Sequence, residues 1–361
     1  MRLAIVHDWL NQRGGAEDVL ERMQALHPAA PVFTSIYAPQ LMPAPYQQWN
    51  IRTAFTNRLP GIHRHHRPYL LLYPLAFASL NLSGYNVILS NKSGFCMEVR
   101  KPPGAVHLCY CLTPTRYVWN LEDYAAREPI PAAMLAALRL LLPWLQRRER
   151  AAARSVDHFL AISSAVQQRI ALHYGRESSV LHPPVDTARF APAAETADYF
   201  LVVSRLVPYK RIDLAVRACT NLQLPLVVAG AGRDQQRLQA MAGPTVKFIG
   251  RVPQAELPAL LAGCRAFIFP GLEDFGIAPV QALASGRPVV AFAGGGALDY
   301  VDAQRTGCLF HEQTVEALEA ALRSLRPQDY EPAALQRCAL QFDARVFDER
   351  LRAFIAKHAP A

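Results

Sequence analysis

Short apolar runs rich in β-forming residues alternate with helically periodic stretches along almost the whole chain. This alternation restricts the fold more than any other feature, because strands separated by helices pair in parallel and need cover on both faces. In the first half it predicts strands at 3–7, 31–37, 85–90, 106–111, 156–162 and 178–181, with helices at 16–26, 132–154 and 163–174. In the second it predicts strands at 199–204, 226–229, 246–249, 266–269 and 288–292, helices between them and a last helix near 344–358. The expected class is α/β, with two doubly wound, Rossmann-like parallel sheets.

A length of 361 residues exceeds what one core usually takes, and 51% hydrophobic against 19% charged residues suffices for two. Pro183-Pro184 stops regular structure, and a polar, Ala-rich stretch follows to Asp198. The expected domains are 1–186 and 187–342, with the terminal helix in 343–361. Seven scattered cysteines without a CxxC pair read as reduced and cytosolic. The opening apolar run is too short for a secretory signal, and the longest candidate spans, 69–82 and 134–145, are broken by Pro74, Arg139 and Pro143.

The net charge of +9 is uneven. Residues 1–185 hold 19 Lys+Arg against 11 Asp+Glu, whereas 186–361 hold 19 against 18. The first half is therefore expected to meet something anionic: phosphate, phospholipid or nucleic acid. No aromatic-basic platform or reader motif supports nucleic acid.

Open parallel sheets bind ligands at the carboxyl ends of their strands. Four predicted strand ends carry suggestive loops: 8–15, Arg205 to Lys210, 271–276 and Gly294-Gly295-Gly296. In GLEDFGIAPVQALASG (271–286), Pro279 suits a helix N1 position and Gly286 the C′ position. Phe275, Gly276 and Ile277 would then offer free N–H groups to an anion, with Gln281 in the first turn. Glu273, just before that end, is placed to accept sugar hydroxyls; an ordinary loop acid near a helix dipole is the competing reading. Arg205 and Lys210 would neutralise a departing diphosphate, or be plain surface cations. Lys is scarce, five residues against 33 Arg. Gly14-Gly15 permits close phosphate approach but lacks dinucleotide GxGxxG spacing.

The stretch 62–80 joins Arg and His to an apolar, aromatic run. It reads either as an interfacial segment on anionic lipid or as a buried helix behind a basic loop. His63, His65 and His66 have no acidic partner spaced for a metal, and none is expected. Arg147, Arg150 and Arg154 share one helix face and read as a solvated stripe.

Together these segments resemble glycosyltransferase family 4, the retaining group 1 transferases. The resemblance rests on VHDWLNQRGGAE, CYCLTPTRYVW (109–119), VLHPPVD (180–186), VSRLVPYKRIDLAV, FIGRVP (248–253) and GLEDFGIAPVQALASGRPVVAF. It is strongest towards mannosyltransferase-like enzymes of bacterial O-antigen and exopolysaccharide assembly. It implies a GT-B fold with an interdomain cleft, metal-independent transfer without a cofactor, and a last helix crossing back onto the first domain.

By that resemblance Glu273 is catalytic and binds the donor sugar, and Arg205 and Lys210 hold its diphosphate. Phe275, Gly276, Ile277 and Gln281 also contact the donor, Gly250, Arg251 and Val252 flank the base, and Gly14 and Gly15 approach the phosphates. His7, Asp8, Thr113, Arg116 and Tyr117 fall on the acceptor side. The implied partners are a nucleotide-diphosphate sugar (GDP-mannose as first choice), a polyprenyl-diphosphate-linked saccharide and an anionic membrane surface. The implied location is peripheral, at the cytoplasmic face of the cell membrane.

Two positions depart from the pattern: Leu112 stands where relatives commonly have His, and Gln281 where a second Glu holds the ribose. They keep open a catalytically weak or inactive sugar-nucleotide-binding partner. A GT-B epimerase or phosphorylase is a further alternative.

Overall fold

The computed structural model describes residues 1–122, 125, 130–193 and 195–360. They form two compact units, Met1–Pro184 with Phe347–Ala361, and Val185–Val346.

In the first unit, β1 (Leu3–His7), β2 (Val32–Thr34), β3 (Ile51–Thr53), β4 (Val87–Lys92), β5 (Val106–Cys111), β6 (His158–Ala161) and β7 (Ser178–Val180) make one parallel sheet. Its order is β3-β2-β1-β4-β5-β6-β7. Helices α1 (Gly15–Leu26), α2 (Tyr73–Ala78), α3 (Arg116–Trp119), α4 (Ala132–Ser155) and α5 (Ser164–Tyr174) intervene. The central strands β1 and β4 are buried along their whole length, which is why LAIVH reads as a nearly continuous apolar run, while β4 begins apolar (VIL) and ends on the buried polar residues Ser90, Asn91 and Lys92.

The second unit repeats the plan. Strands β8 (Phe200–Val203), β9 (Leu226–Ala229), β10 (Val246–Gly250), β11 (Ala266–Phe269), β12 (Val289–Phe292) and β13 (Gly307–Phe310) pair in parallel in the order β10-β9-β8-β11-β12-β13. Among them run α6 (Ile212–Asn221), α7 (Gln235–Ala240), α8 (Leu257–Gly263), α9 (Ile277–Ala284), α10 (Val315–Ser324) and α11 (Pro332–Ala339); α12 (Ala344–His358) closes the chain. Each unit has its own core. One gathers Phe200, Leu214, Val228, Ile268 and Val290; the other gathers Val6, Phe33, Tyr73, Phe77 and Ile88.

Both sheets reverse their winding once. The switch falls between β1 and β4 in the first and between β8 and β11 in the second. At such a point the loops from two neighbouring strands diverge and leave a crevice, the usual ligand position of this architecture.

The structure departs from the sequence-based expectations in four places. Strands β3 and β13 were not anticipated. The first is an edge strand with Ile51 half-buried and Arg52 and Thr53 exposed, so it lacks apolar pattern; the second begins on Gly307 directly after a polar turn. The stretch 62–80 is not one helix. A 3-10 segment Arg67–Leu72 leads into the short α2, and Ile62, Tyr73, Ala76, Phe77 and Leu80 are core residues.

The helix expected to begin at Pro279 begins at Ile277, two residues earlier, so Pro279 is its third residue. An N–H there has no intrahelical acceptor, so proline costs nothing. Gln281 accordingly lies in the second turn, not the first. At the other end Gly286 (φ +71°) donates to Leu283 O and Arg287 to Ala282 O, the paired bonds of a Schellman stop.

Candidate functional site

The switch point of the second sheet is bounded by the loops after β8 and β11. Ser204–Arg211 leaves β8 through a 3-10 turn at Pro208–Lys210, and Arg211 adopts a left-handed conformation (φ 53°) that starts α6. This turn aims Lys210 across the sheet end, where its ammonium donates to a carboxylate oxygen of Glu273 from the loop after β11. Both side chains are mostly buried, 14% and 13% exposed, so the pair is poorly screened. Arg205 stays at the surface and donates to the Tyr209 hydroxyl at 2.9 Å.

The Glu273 loop is held by glycine contacts. Gly296 donates to Glu273 O at 2.9 Å, and a Cβ on Gly296 would come within 2.3 Å of Phe275 Cα. Gly276 caps α9 at φ 92°, where a Cβ would strike the Phe269 ring at 2.5 Å. Phe275 is buried against Tyr300 and Phe342, and Tyr300 donates its hydroxyl to Phe275 O at 2.7 Å. The Phe275 ring thus belongs to the core. Ile277 and Gln281 are half-buried on α9.

Gly250 ends β10 at φ 72°, and its carbonyl accepts from Gly230 N at 2.6 Å. Arg251 and Val252 follow at the same carboxyl end of the sheet as Lys210 and Glu273, because all six strands are parallel.

The first sheet closes its switch point with a carboxylate too. Asp8, directly after β1, is fully buried; its oxygens accept from Ser93 N (2.7 Å), Gly94 N (2.6 Å) and Cys96 N (2.8 Å) in the loop after β4. The Asp8 carboxylate thus shapes that loop. His7 is committed as well: its ring meets Glu17 Oε1 at 3.3 Å and Asn91 Nδ2 at 3.2 Å. Gly14 caps α1 and Gly15 is its first residue, so α1 starts with free N–H groups. Of the histidine cluster, His63 meets Asn57 Oδ1 at 3.1 Å, and His66 stacks on Trp9 and meets Asn11. These contacts tie the 8–15 loop to the segment before α2.

The segment 112–119, which carries Thr113 and, on α3, Arg116 and Tyr117, rests on a buried ion pair absent from the sequence reading. Lys92, the last residue of β4, and Glu149 of α4 are both fully buried, with Nζ and Oε1 3.0 Å apart. Lys92 donates to Thr113 O (3.1 Å) and Thr115 Oγ1 (3.2 Å). Glu149 accepts from Thr115 Oγ1 (2.7 Å), Tyr174 OH (2.7 Å) and Trp119 Nε1 (2.6 Å). Burial opposes charge on both groups, but the mutual attraction and these hydrogen bonds prevail: the ammonium is pushed up and the carboxyl down. The signal in the sequence is a lysine, rare in this chain, at the end of an apolar strand.

Leu112, at the carboxyl end of β5, is buried. His107 lies at the other end of that strand, fully buried against Ser90 Oγ at 2.9 Å, and burial lowers its pKa to about 4. It is too far along β5 to replace a histidine at position 112.

Residues 185–337 match the family described as glycosyl transferases group 1. A GDP-mannose-dependent alpha-(1-6)-phosphatidylinositol monomannoside mannosyltransferase of Mycolicibacterium smegmatis is 30% identical over 227 residues, covering 54% of this chain and 59% of that protein. A GDP-mannose-dependent alpha-mannosyltransferase of the same organism is 34% identical over 183 residues, covering 47% and 48%. The chain thus spans about half the length of the curated relatives it matches. HepE of Anabaena, solved with UDP, aligns over 99% of this chain and 100% of its own with a TM-score of 0.71 at 17% identity. A sucrose-phosphate synthase of Thermosynechococcus elongatus aligns over 99% of both chains with a TM-score of 0.75 at 18% identity. At such identities the structural likeness is one of fold. Residues 185–337 are a group 1 glycosyltransferase domain, and the chain as a whole has the two-sheet GT-B fold.

Proposed function

We propose that the protein is a retaining hexosyltransferase that moves mannose from GDP-mannose onto a lipid-linked saccharide. The observation that carries this reading is the Lys210–Glu273 pair at the switch point of the second sheet, beside the glycine-capped start of α9. A nucleotide diphosphate binding there would meet the Lys210 ammonium, Arg205 and the free N–H groups of Gly276 and Ile277. Released from Lys210, the Glu273 carboxylate would accept hydrogen bonds from the donor sugar. Leaving-group charge would fall on Lys210 and Arg205, the contribution that preorganised cations make to a transition state. The acceptor hydroxyl would attack on the face the diphosphate leaves, its proton passing to the departing diphosphate oxygen as the sugar–phosphate bond breaks, which retains configuration.

GDP-mannose is favoured by the names of the two mannosyltransferase relatives. For the acceptor, a polyprenyl-diphosphate saccharide and a phosphoinositol mannoside share one chemistry, an anionic lipid carrying sugar. The excess of 19 Lys+Arg over 11 Asp+Glu in residues 1–185 supports such a partner at a membrane face. Among the described residues no helix is long and apolar enough to cross a membrane.

Buried Leu112 and the amide at Gln281 favour a second reading, a partner protein that binds sugar nucleotides without turnover. One experiment separates the two: labelled GDP-mannose, UDP-glucose, UDP-galactose and UDP-N-acetylglucosamine offered with extracted bacterial lipid, alongside a Glu273→Ala control. Lipid labelling by one donor, lost in the control, supports the transferase. Donor binding without transfer to any acceptor overturns it in favour of the binding protein.

A further inference from the structure

Helix α4 does two different things along its length. Its second half enters the core: Leu145, Glu149 and Ala153 are buried. From Ala132 to Trp144 no side chain is buried, although Arg139 is the only charged residue in that stretch. Leu135, Leu138 and Leu142 are half-buried on the side that continues to Leu145. Met134, Ala137, Leu141 and Trp144, spaced 3, 4 and 3 apart, form a second apolar stripe on the same helix. Leu140 beside that stripe is 83% exposed, and Trp144 46%. Soluble chains rarely leave a contiguous apolar patch of this kind open to water unless it meets something.

The occupant is indicated by charge. Arg147, Arg150 and Arg154 run along the helix on the flank of the stripe and are all exposed, Arg139 further up is paired with Glu122 at 2.7 Å, and Arg148 lies over the Trp144 ring at 5.7 Å. Glu149, the helix's one acid, is buried on Lys92 and offers nothing to the surface. An apolar stripe with an aromatic residue and a cationic flank fits a bilayer interface: Leu and Trp enter the headgroup boundary while arginines meet lipid phosphates. A second copy docking through the same face would set like charges against each other.

We propose that the first half of α4, centred on Leu140 and Trp144, is the surface by which this protein seats on an anionic membrane. The segment before α2, the other basic-apolar stretch, buries Ile62 in the core and packs Tyr69 and Leu70 against it. The proposal does not rest on sugar transfer.

The test is co-sedimentation of the full chain with phosphatidylcholine vesicles, and with vesicles carrying about 30 mol% phosphatidylglycerol. The wild type should pellet with the anionic vesicles only, and raised salt should weaken this. Leu140→Glu with Trp144→Glu should lower partition about a hundredfold, from the apolar burial lost. Arg147→Glu should lower it several-fold, each interfacial cation contributing roughly a fivefold factor. These side chains are exposed, so melting temperatures should hold; if the double variant melts early, Arg147→Glu decides alone. Wild type that ignores anionic vesicles, or variants that bind as wild type does, would overturn the proposal. So would a double variant that breaks up a dimer in light scattering while binding vesicles unchanged, for the face would then belong to a second copy.

Discussion

Lys210 Nζ donates to Glu273 Oε2, linking the loop after β8 to the loop after β11 across the switch point of the second sheet. A cation and an anion that both address the donor in the proposed mechanism are thus paired with each other before any donor arrives. The pair holds both side chains in place, at the cost of an exchange when the diphosphate binds.

The two residues should therefore act as a unit. Lys210→Ala is expected to lower kcat/KM for the donor about a hundredfold or more, as loss of a preorganised charge does. Glu273→Gln should fall by a similar factor. The double variant should lose clearly less than the product of the two, since each single change already breaks the pair. Steady-state kinetics on all three proteins, with calorimetric donor binding, measure this; full additivity would mean that the residues act separately.

Gly296 should tolerate no side chain. A Cβ there would meet backbone at 2.3 Å, which a rotamer change cannot relieve. Gly296→Ala is expected to cost about 1–3 kcal/mol, the usual range for overpacking. It should also displace Glu273, whose carbonyl Gly296 holds. Urea unfolding reports the first effect and donor affinity the second; loss of affinity at unchanged stability would separate them.

Breaking the buried Lys92–Glu149 pair by removing one partner leaves an uncompensated charge. Lys92→Met is expected to destabilise by about 3–5 kcal/mol, and Lys92→Met with Glu149→Gln by clearly less. Chemical denaturation of the three proteins checks the order. Because Lys92 also holds Thr113 O and Thr115 Oγ1, the acceptor KM should rise in the double variant even where stability recovers.

His107 makes stability pH-dependent in a definite direction. Burial lowers its folded pKa to about 4 from the ordinary 6.5, so the neutral ring is favoured in the folded state. That contribution is present above pH 6.5 and is lost as pH falls through about 4, because the unfolded chain takes up the proton first. Relative to His107→Gln, the wild type should lose about 3 kcal/mol over this interval. Glu98, whose carboxyl is raised to about 7 chiefly by burial, works the opposite way. The comparison must therefore be between the two proteins at each pH and not along one curve.

The alternation of apolar runs and helical periods determined the architecture, because a buried parallel strand needs apolar residues throughout and a crossover helix needs its own period. It also determined that Lys210, Glu273 and the glycines fall at strand carboxyl ends, since those positions follow directly from strand boundaries. Strand β3 escaped because an edge strand with two exposed residues has no pattern to read, and β13 because it opens on a glycine. Tertiary structure alone decided which residues are spent and which are free. Asp8 follows a strand end in the sequence, and only the fold shows that its carboxylate accepts from three backbone N–H groups 85 to 88 residues away. Lys92 and Glu149 are 57 positions apart and become partners only when β4 and α4 pack. Likewise α4 is apolar on two faces, and only the packing of Leu145 shows which one the core takes and which one is left to meet something else. Strand and helix patterns are local in sequence; burial and hydrogen-bond partnership are set by neighbours distant along the chain, and the chemistry of a site depends on those.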